Sequence, residues 1–135
     1  MTNIKDHITL LLIDDDEDDR MFFEESAKEV DKNIECILIP DCPGALDYLK
    51  DNNSIVPDYI FLDLRMPGYS GKKCLEEIAS EERLKDVPVI IYTTSTDEED
   101  ANELKTLGAS HFVSKPINPS EIYYMISQII NDKWK

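Results

Sequence analysis

The sequence predicts a doubly wound α/β fold, in which helices cover both faces of a parallel sheet. Two observations lead to this prediction. Five short apolar segments alternate with five segments of helical patterning, in the order βαβαβαβαβα. The segments between consecutive strands are also long enough for parallel crossover connections, which are right-handed in nearly all proteins. With 135 residues, the chain is large enough for one domain with a real core.

The predicted strands are short and largely apolar, as in parallel sheets that are buried on both faces. They cover residues 9–13, 34–39, 58–63, 89–92 and 110–114. The third run follows a break at Pro57 and Asp58 and ends at Asp63. We interpret it as the central strand. An apolar strand that ends in a carboxylate positions that group at the carboxyl edge of the sheet, where ligands bind in parallel sheets.

The predicted helices lie between these strands and after the last one. The first begins within the acidic segment 14–19, because Asp and Glu favour a helix N-terminus, and it runs to about residue 30. Four residues are available for its buried side: Met21, Phe22, Ala27 and Val30. The later helices begin near Pro43, after Gly71, at Asp97 and near Pro119, and the fourth ends at Gly108.

Acidic residues outnumber basic ones by 29 to 14, which gives a formal net charge of −15. This charge argues against direct binding to nucleic acid, because clustered Lys and Arg supply most of the affinity for phosphate backbones. It suits a divalent cation or a partner with a basic surface. No apolar run reaches membrane-spanning length, and residues 1–7 do not resemble a signal peptide. We therefore expect a cytoplasmic protein without membrane contacts.

Three cysteines, Cys36, Cys42 and Cys74, are odd in number and lack the spacing of a metal site. The two histidines, His7 and His111, are too few and too isolated to indicate zinc binding. We expect the cysteines to be buried, reduced thiols.

Functional side chains follow four of the predicted strands at their carboxyl ends. Asp14 and Asp15 follow the first strand, Asp63 ends the third, Thr93 follows the fourth and Lys115 the fifth. Because these ends meet at one edge of a parallel sheet, we expect the groups to converge. Three converging carboxylates repel one another unless a cation joins them. Mg²⁺ fits this site, since it binds a few carboxylate oxygens and leaves room for a phosphate held by the lysine and the threonine.

These residues make the sequence resemble the receiver domain of two-component response regulators over about residues 8–131. Four motifs match in order: Asp14-Asp15, Asp63-Leu64-Arg65-Met66-Pro67-Gly68 with Gly71 following, Thr93, and Lys115-Pro116 preceded by Gly108-Ala109-Ser110. The resemblance implies a flavodoxin-like fold with five helices and a five-stranded parallel sheet in the order 2-1-3-4-5. It also implies a cis-proline bond before Pro116.

The resemblance further implies a role for each matching residue. Asp63 would accept a phosphoryl group from a phosphohistidine on a sensor histidine kinase or a phosphotransfer protein. Asp15 and Asp63 would bind Mg²⁺ directly, Asp14 would bind it through water, and the backbone carbonyl of Arg65 would be a further ligand. Lys115 would bind a phosphoryl oxygen. The chain would then be a phosphoryl acceptor rather than an enzyme, with at most self-phosphorylation and self-dephosphorylation.

Phosphorylation adds charge and acceptor oxygens at one point, which a local switch can convert into an altered surface. The resemblance implies that Thr93 moves towards the phosphoryl group and that the aromatic ring of Phe112 turns inward with it. We expect the surface formed by residues 97–130 to change and to bind a downstream protein. Arg65 and Ser95 occupy positions at which the family adjusts dephosphorylation, and we expect Arg65 to shield the acyl phosphate from water.

The sequence ends shortly after the last predicted helix, at Trp134-Lys135. We therefore expect a stand-alone receiver over residues 1–135, without an output domain, that is a monomer or a weak homodimer. The acidic start of the first helix and the terminal Trp134 resemble small regulators that are paired with phytochrome-like or hybrid histidine kinases.

An EF-hand calcium loop is one alternative, since its positions 1, 3, 5 and 12 would be filled by Asp14, Asp16, Asp18 and Glu25. However, Asp19 stands where this loop needs glycine, and the preceding segment is predicted as a strand rather than a helix. We instead expect the acidic side chains of residues 16–19 to be mostly solvated at the front of the first helix.

Two further alternatives keep the site but change its use. An aspartyl-phosphate hydrolase also has its nucleophile at a strand end, but Arg65 replaces the acid–base aspartate that it needs two residues later. A scaffold that binds partners without phosphorylation would have the same fold. The sequence leaves the scaffold open, although every residue that the chemistry needs is present.

Overall fold

A computed structural model describes residues 7–94 and 98–132, without the side chains of residues 98–100. Three residues with predicted roles, Ser95, Asp97 and Trp134, lie outside the described residues. The strands are β1 (Thr9–Ile13), β2 (Glu35–Ile39), β3 (Tyr59–Leu62), β4 (Val89–Thr93) and β5 (His111–Ser114). The helices are α1 (Glu17–Val30), α2 (Cys42–Lys50), α3 (Gly71–Ala79), α4 (Glu98–Leu107) and α5 (Ser120–Asp132).

All strand pairs are parallel, and the order β2-β1-β3-β4-β5 confirms the predicted sheet. Side chains alternate between the two faces of each strand. In β1, Leu11 and Ile13 pack with α2, α3 and α4 on one face, whereas Leu10 and Leu12 pack with α1 and α5 on the other. The core therefore has two layers with the sheet between them.

Helix α1 faces the core with only some of its apolar residues. Asp16 caps the helix by accepting a hydrogen bond from a backbone N–H of the first turn. From this start, Phe23 and Ala27 lie one turn apart on the buried face, whereas the Met21 side chain is 46% exposed. The prediction that Met21 belongs to the core is therefore wrong, and Phe22 only borders the core.

The predicted end of the fourth helix is confirmed. Gly108 ends α4 with a φ of +124°, a left-handed conformation that side chains disfavour. In α5, Ile122, Ile126 and Ile129 lie about one turn apart and form the buried stripe of an amphipathic helix. Within the described residues, every helix is too short or too polar to cross a membrane.

The expectation of three reduced thiols is wrong for two of them. Cys42 at the start of α2 and Cys74 in α3 form a disulfide, with their Cα atoms 6.1 Å apart. The two helices pack side by side on one face of the sheet, which brings together cysteines 32 positions apart in the sequence. Cys36 is a free, half-buried thiol, and burial raises its pKa to about 12.

This pairing predicts a distinctive alkylation pattern. Protein that is denatured without a reductant and treated with iodoacetamide should carry a single label, on Cys36, because the disulfide blocks Cys42 and Cys74. After reduction, all three cysteines should be labelled. Intact-protein and peptide mass spectrometry measure both states, with Cys36→Ser as the control that takes no label before reduction. Labelling of all three cysteines without a reductant would contradict the pairing.

Candidate functional site

Backbone hydrogen bonds continue beyond the strands and position the site residues. The N–H of Asp14 donates to the last carbonyl of β2, and the N–H of Asp63 donates to the last carbonyl of β1, both at 3.0 Å. The N–H of Lys115 donates to the carbonyl of Thr93 at 2.8 Å. The sheet therefore holds the backbone of each residue at its carboxyl edge, as predicted from the strand ends.

The loop after Asp63 is held close to α3. The N–H of Arg65 donates to Oδ1 of Asp63 at 3.0 Å and closes a turn around the carboxylate. A Cβ atom on Gly71 would lie 2.8 Å from both the Cα and the carbonyl oxygen of Leu64. Only glycine therefore lets α3 begin this close to the loop that carries Asp63.

Both carboxylate oxygens of Asp63 accept hydrogen bonds from side chains. Oδ1 accepts from Oγ1 of Thr93 at 3.2 Å, and Oδ2 accepts from Nζ of Lys115 at 2.9 Å. Thr93 is fully buried, and Asp63 is only 4% exposed. The carboxylate is thus oriented by groups from two other strand ends.

Three carboxylates surround the ammonium of Lys115. Its Nζ lies 2.8 Å from Oδ2 of Asp14, 2.8 Å from Oδ2 of Asp19 and 2.9 Å from Oδ2 of Asp63. Burial acts to lower the pKa of Lys115, but the carboxylates outweigh burial and raise this pKa above its ordinary value. The expectation that Asp19 is mostly solvated is wrong, because α1 directs its side chain to this lysine.

Asp14 is the most deeply buried acid of the site. Its Oδ1 accepts a hydrogen bond from the N–H of Asp16 at 3.0 Å. Its Oδ2 is buried and receives no hydrogen bond from a described residue, since the close contact with Lys115 is an ion pair without hydrogen-bond geometry. Burial raises the pKa of Asp14 to about 6, although Lys115 and the Asp16 N–H act to lower it.

A divalent cation fits this arrangement. Asp14, Asp15 and Asp63 each offer a carboxylate oxygen, and the three oxygens lie within 4.8 Å of one another. Asp15 is exposed, so the group opens to solvent on one side. Oδ2 of Asp14, buried without a hydrogen bond, is the kind of atom that a hard cation or its bound water would satisfy.

The calcium-loop alternative is wrong. An EF-hand loop follows a helix, whereas this acidic segment follows the buried strand β1. Asp16, which that loop would use as a ligand, instead accepts the N–H of Asp19 at the cap of α1. The carboxylates that converge follow two different strands, β1 and β3, and do not all belong to one loop.

The structure also describes two other residues with predicted features, Phe112 and Pro116. Phe112 in β5 is half-buried and packs against the hydrophobic cluster on the face of α2, α3 and α4. The expectation of a cis bond before Pro116 is wrong, because the described residues contain no cis peptide bond. The bond takes the trans form that most X–Pro bonds adopt.

The fold and this edge of the sheet define a class of signalling domain. The sequence profile of the response regulator receiver domain matches residues 10–127. The chain therefore belongs to the response regulator receiver family, whose members are phosphoacceptors in two-component signalling.

Individual relatives agree with this assignment. The response regulator Rcp1 of Synechocystis is 30% identical over 124 residues, which span 89% of this chain and 84% of Rcp1. The crystal structure of Mn²⁺-bound Rcp1 is 28% identical, with a TM-score of 0.81 over 95% of both chains. The phosphorylated cyanobacterial phytochrome response regulator RcpA is 28% identical, with a TM-score of 0.83 over 95% of this chain and 94% of RcpA.

The ion pairs of Lys115 predict a large effect on stability without metal. Lys115→Ala should lower the free energy of unfolding by about 3 kcal/mol in EDTA, because it leaves the buried Asp14 and Asp63 carboxylates without their counter-charge. MgCl₂ should then stabilise the variant more than the wild type, since a cation replaces the missing ammonium. Urea unfolding with EDTA and with MgCl₂ measures both effects.

Lys105→Ala is the matched control, because Lys105 is an exposed lysine of α4. Its stability should stay within about 0.5 kcal/mol of the wild type. Equal losses in the two variants, or no loss in Lys115→Ala, would show that the buried ion pairs of Lys115 do not stabilise the fold.

Proposed function

We propose that Asp63 accepts a phosphoryl group from a phosphohistidine on a sensor histidine kinase or a phosphotransfer protein. The observation that carries this proposal is the Asp63 carboxylate itself, nearly buried at the sheet edge and oriented by Thr93 and Lys115. In the transfer, a carboxylate oxygen of Asp63 forms a bond to phosphorus while the bond from phosphorus to the imidazole nitrogen breaks. The imidazole nitrogen keeps the electron pair, and the product is an acyl phosphate.

The proposed metal is Mg²⁺, with Asp15 and Asp63 as direct ligands, Asp14 as a ligand through water and the backbone carbonyl of Arg65 as a further ligand. The distances among the three carboxylates and the buried Oδ2 of Asp14 support a small, hard cation. The Mn²⁺-bound form of Rcp1 supports a divalent ion in a relative of this fold. When bound, Mg²⁺ would supply charge that stabilises the phosphoryl oxygens.

Lys115 and Thr93 would hold the phosphoryl group after transfer. The Lys115 ammonium already lies 2.9 Å from Asp63, so it can contact an oxygen of a group attached there. The Thr93 hydroxyl donates to Asp63 in the unphosphorylated state and would instead donate to a phosphoryl oxygen. Arg65 follows two residues after the acceptor, and we propose that its side chain shields the acyl phosphate from water.

The proposed output is a changed surface over residues 97–130, which binds a downstream protein. Movement of the Thr93 hydroxyl towards the phosphoryl group would leave space that the Phe112 ring fills. Phe112 packs on the same hydrophobic cluster as Leu104 of α4, so an inward turn of its ring would act on this helix. This physical connection supports a switch that runs from β4 through β5 to α4.

The proposed setting is the cytoplasm, with no direct contact with nucleic acid or membranes and with a monomer or weak homodimer as the signalling species. The net charge of −15 supports a protein partner over nucleic acid. In that compartment disulfides are normally reduced, but Cys42 and Cys74 are at most 1% exposed and thus shielded from reductants. RcpA is a phytochrome response regulator, which supports a phytochrome-like or hybrid histidine kinase as donor.

Acetyl phosphate, a small phosphoryl donor, tests the proposed function directly. Incubation with acetyl phosphate and Mg²⁺ should add one phosphoryl group per chain, and EDTA should prevent the addition. Asp63→Asn should abolish the adduct, since an amide is a poor nucleophile and lacks the charge that binds the cation. Intact-protein mass spectrometry under rapid quenching measures the adduct.

Asp47→Asn is a control with the same chemical change at an exposed position of α2, and it should be phosphorylated like the wild type. An adduct that persists in Asp63→Asn would place the acceptor elsewhere. A wild-type protein that binds Mg²⁺ but takes no phosphoryl group from acetyl phosphate or a histidine donor would favour the scaffold.

The proposed switch predicts which backbone amide resonances shift in the NMR spectrum on phosphorylation. Phosphorylation should shift backbone amide resonances across residues 97–130 as well as those around Asp63, because Thr93 and Phe112 relay the change to α4. Two-dimensional NMR with and without acetyl phosphate measures these shifts, and Phe112→Ala should reduce them over α4. Shifts that remain confined to the surroundings of Asp63 would refute the switch.

A further inference from the structure

Asp19 contributes to the site in a way that its sequence position does not indicate. Its Oδ2 accepts a hydrogen bond from Nζ of Lys115 at 2.8 Å, across 96 positions of the sequence. The other two carboxylates at this ammonium, Asp14 and Asp63, belong to the group that can hold a cation. Asp19 is outside that group. A cation held by that group would therefore leave Asp19 free to pair with Lys115.

The position of Asp19 is fixed from two sides. Its backbone N–H donates to Oδ1 of Asp16 at 3.1 Å, which ties it to the capped first turn of α1. Its side chain is 36% exposed and reaches inward to the Lys115 side chain, which is only 10% exposed. The neighbouring Arg20 donates to the backbone carbonyl of Asp14 at 2.8 Å. Asp19 thus stands at the rim of the site on a rigid support.

Cation binding changes what holds Lys115 in place. The ammonium and a divalent cation both need oxygens of Asp14 and Asp63, and their like charges repel each other at this short range. Lys115 has a flexible stem with many rotamers, so an ammonium without a counter-charge would move towards solvent. Asp19 remains available on the solvent side and keeps a counter-charge near Asp63.

We propose that Asp19 is a positioning residue that holds the Lys115 ammonium beside Asp63 while the cation occupies the other carboxylates. The proposal rests on the phosphoryl-acceptor function proposed above. It assigns a task to an α1 carboxylate that neither binds the cation nor touches the reacting phosphorus. Loss of Asp19 should therefore act through the lysine and leave the acceptor itself intact.

Acylation of lysine amines measures the position of Lys115 without any phosphorylation. Each protein is treated briefly with acetic anhydride, with EDTA or with MgCl₂, and labelling of Lys115 is quantified by peptide mass spectrometry. In the wild type, Mg²⁺ should leave Lys115 protected. In Asp19→Asn, Mg²⁺ should increase its labelling severalfold, because the ammonium then has no carboxylate to hold it. Asp18→Asn removes the adjacent, exposed carboxylate of the same helical turn and should behave like the wild type.

The rate of phosphorylation gives a second, independent measurement. At saturating Mg²⁺ and acetyl phosphate, Asp19→Asn should slow adduct formation on the order of tenfold, as expected when a catalytic group is misplaced. Asp18→Asn should stay within about twofold of the wild type, and Asp19→Glu should recover part of the rate. In the Lys115→Ala variant, adding Asp19→Asn should not slow adduct formation further. If Asp19 had only a general structural role, Asp19→Asn would slow adduct formation in both the wild type and the Lys115→Ala variant.

The outcomes separate this proposal from the one on which it rests. If the wild type forms no adduct that depends on Asp63, the proposed function fails, while the acylation result still reports on Asp19. If the wild type is phosphorylated and Asp19→Asn matches Asp18→Asn in labelling and in rate, the positioning role is overturned. A faster rate in Asp19→Asn would also overturn it, because Asp19 would then compete with the phosphoryl group for Lys115.

Discussion

The ion pairs between the Lys115 ammonium and its three carboxylates are the interaction on which the site depends. Asp14 and Asp63 are buried at neighbouring strand ends, where two unpaired negative charges would repel each other at short range. One ammonium offsets this repulsion in the metal-free protein. The same carboxylates can also hold a divalent cation, so the site can place a cation and the Lys115 ammonium close together. A phosphoryl acceptor needs this positive charge, because its own negative charge increases on phosphorylation.

The fold supports this arrangement by making the sheet edge rigid. The parallel ladder continues past β1 and β3 and fixes the backbones of Asp14 and Asp63 with hydrogen bonds to neighbouring strands. Beneath the edge, the rings of Phe23, Phe61 and Tyr92 pack edge to face, with centroids 5.0 to 6.1 Å apart. The site residues therefore lie on rigid strand ends, and we expect the conformational change on phosphorylation in the elements around them.

The location of the acids, the threonine and the lysine could be predicted from the sequence because strand ends can be recognised locally. In a parallel sheet, the carboxyl ends of the strands all lie at the same edge. Apolar runs mark the strands, and the polar residue at each carboxyl end must lie at one edge. The ion pair of Asp19 could not be predicted in this way. It depends on the position of the α1 cap and on the packing of α1 beside α5. A helix that begins with acidic residues has the same sequence pattern whether their side chains are solvated or paired.

Other differences have similar physical causes. The disulfide between Cys42 and Cys74 depends on the side-by-side packing of α2 and α3, which cysteine spacing does not encode. Met21 is exposed because α1 packs its Phe23 and Ala27 side against the core, and the apolar character of a residue does not show which side of a helix is buried. The trans bond before Pro116 differs from an expectation that came from resemblance alone.

Chemical reduction locates the acyl phosphate and thereby tests whether Asp63 is the acceptor. Sodium borohydride reduces an aspartyl phosphate to homoserine, and peptide mass spectrometry then identifies the altered position. If Asp63 is the acceptor, homoserine should appear at position 63 in protein treated with acetyl phosphate and Mg²⁺, and not in protein treated with EDTA. Homoserine at another aspartate, or a phosphoryl adduct that resists borohydride, would contradict the assignment of Asp63 as the acceptor.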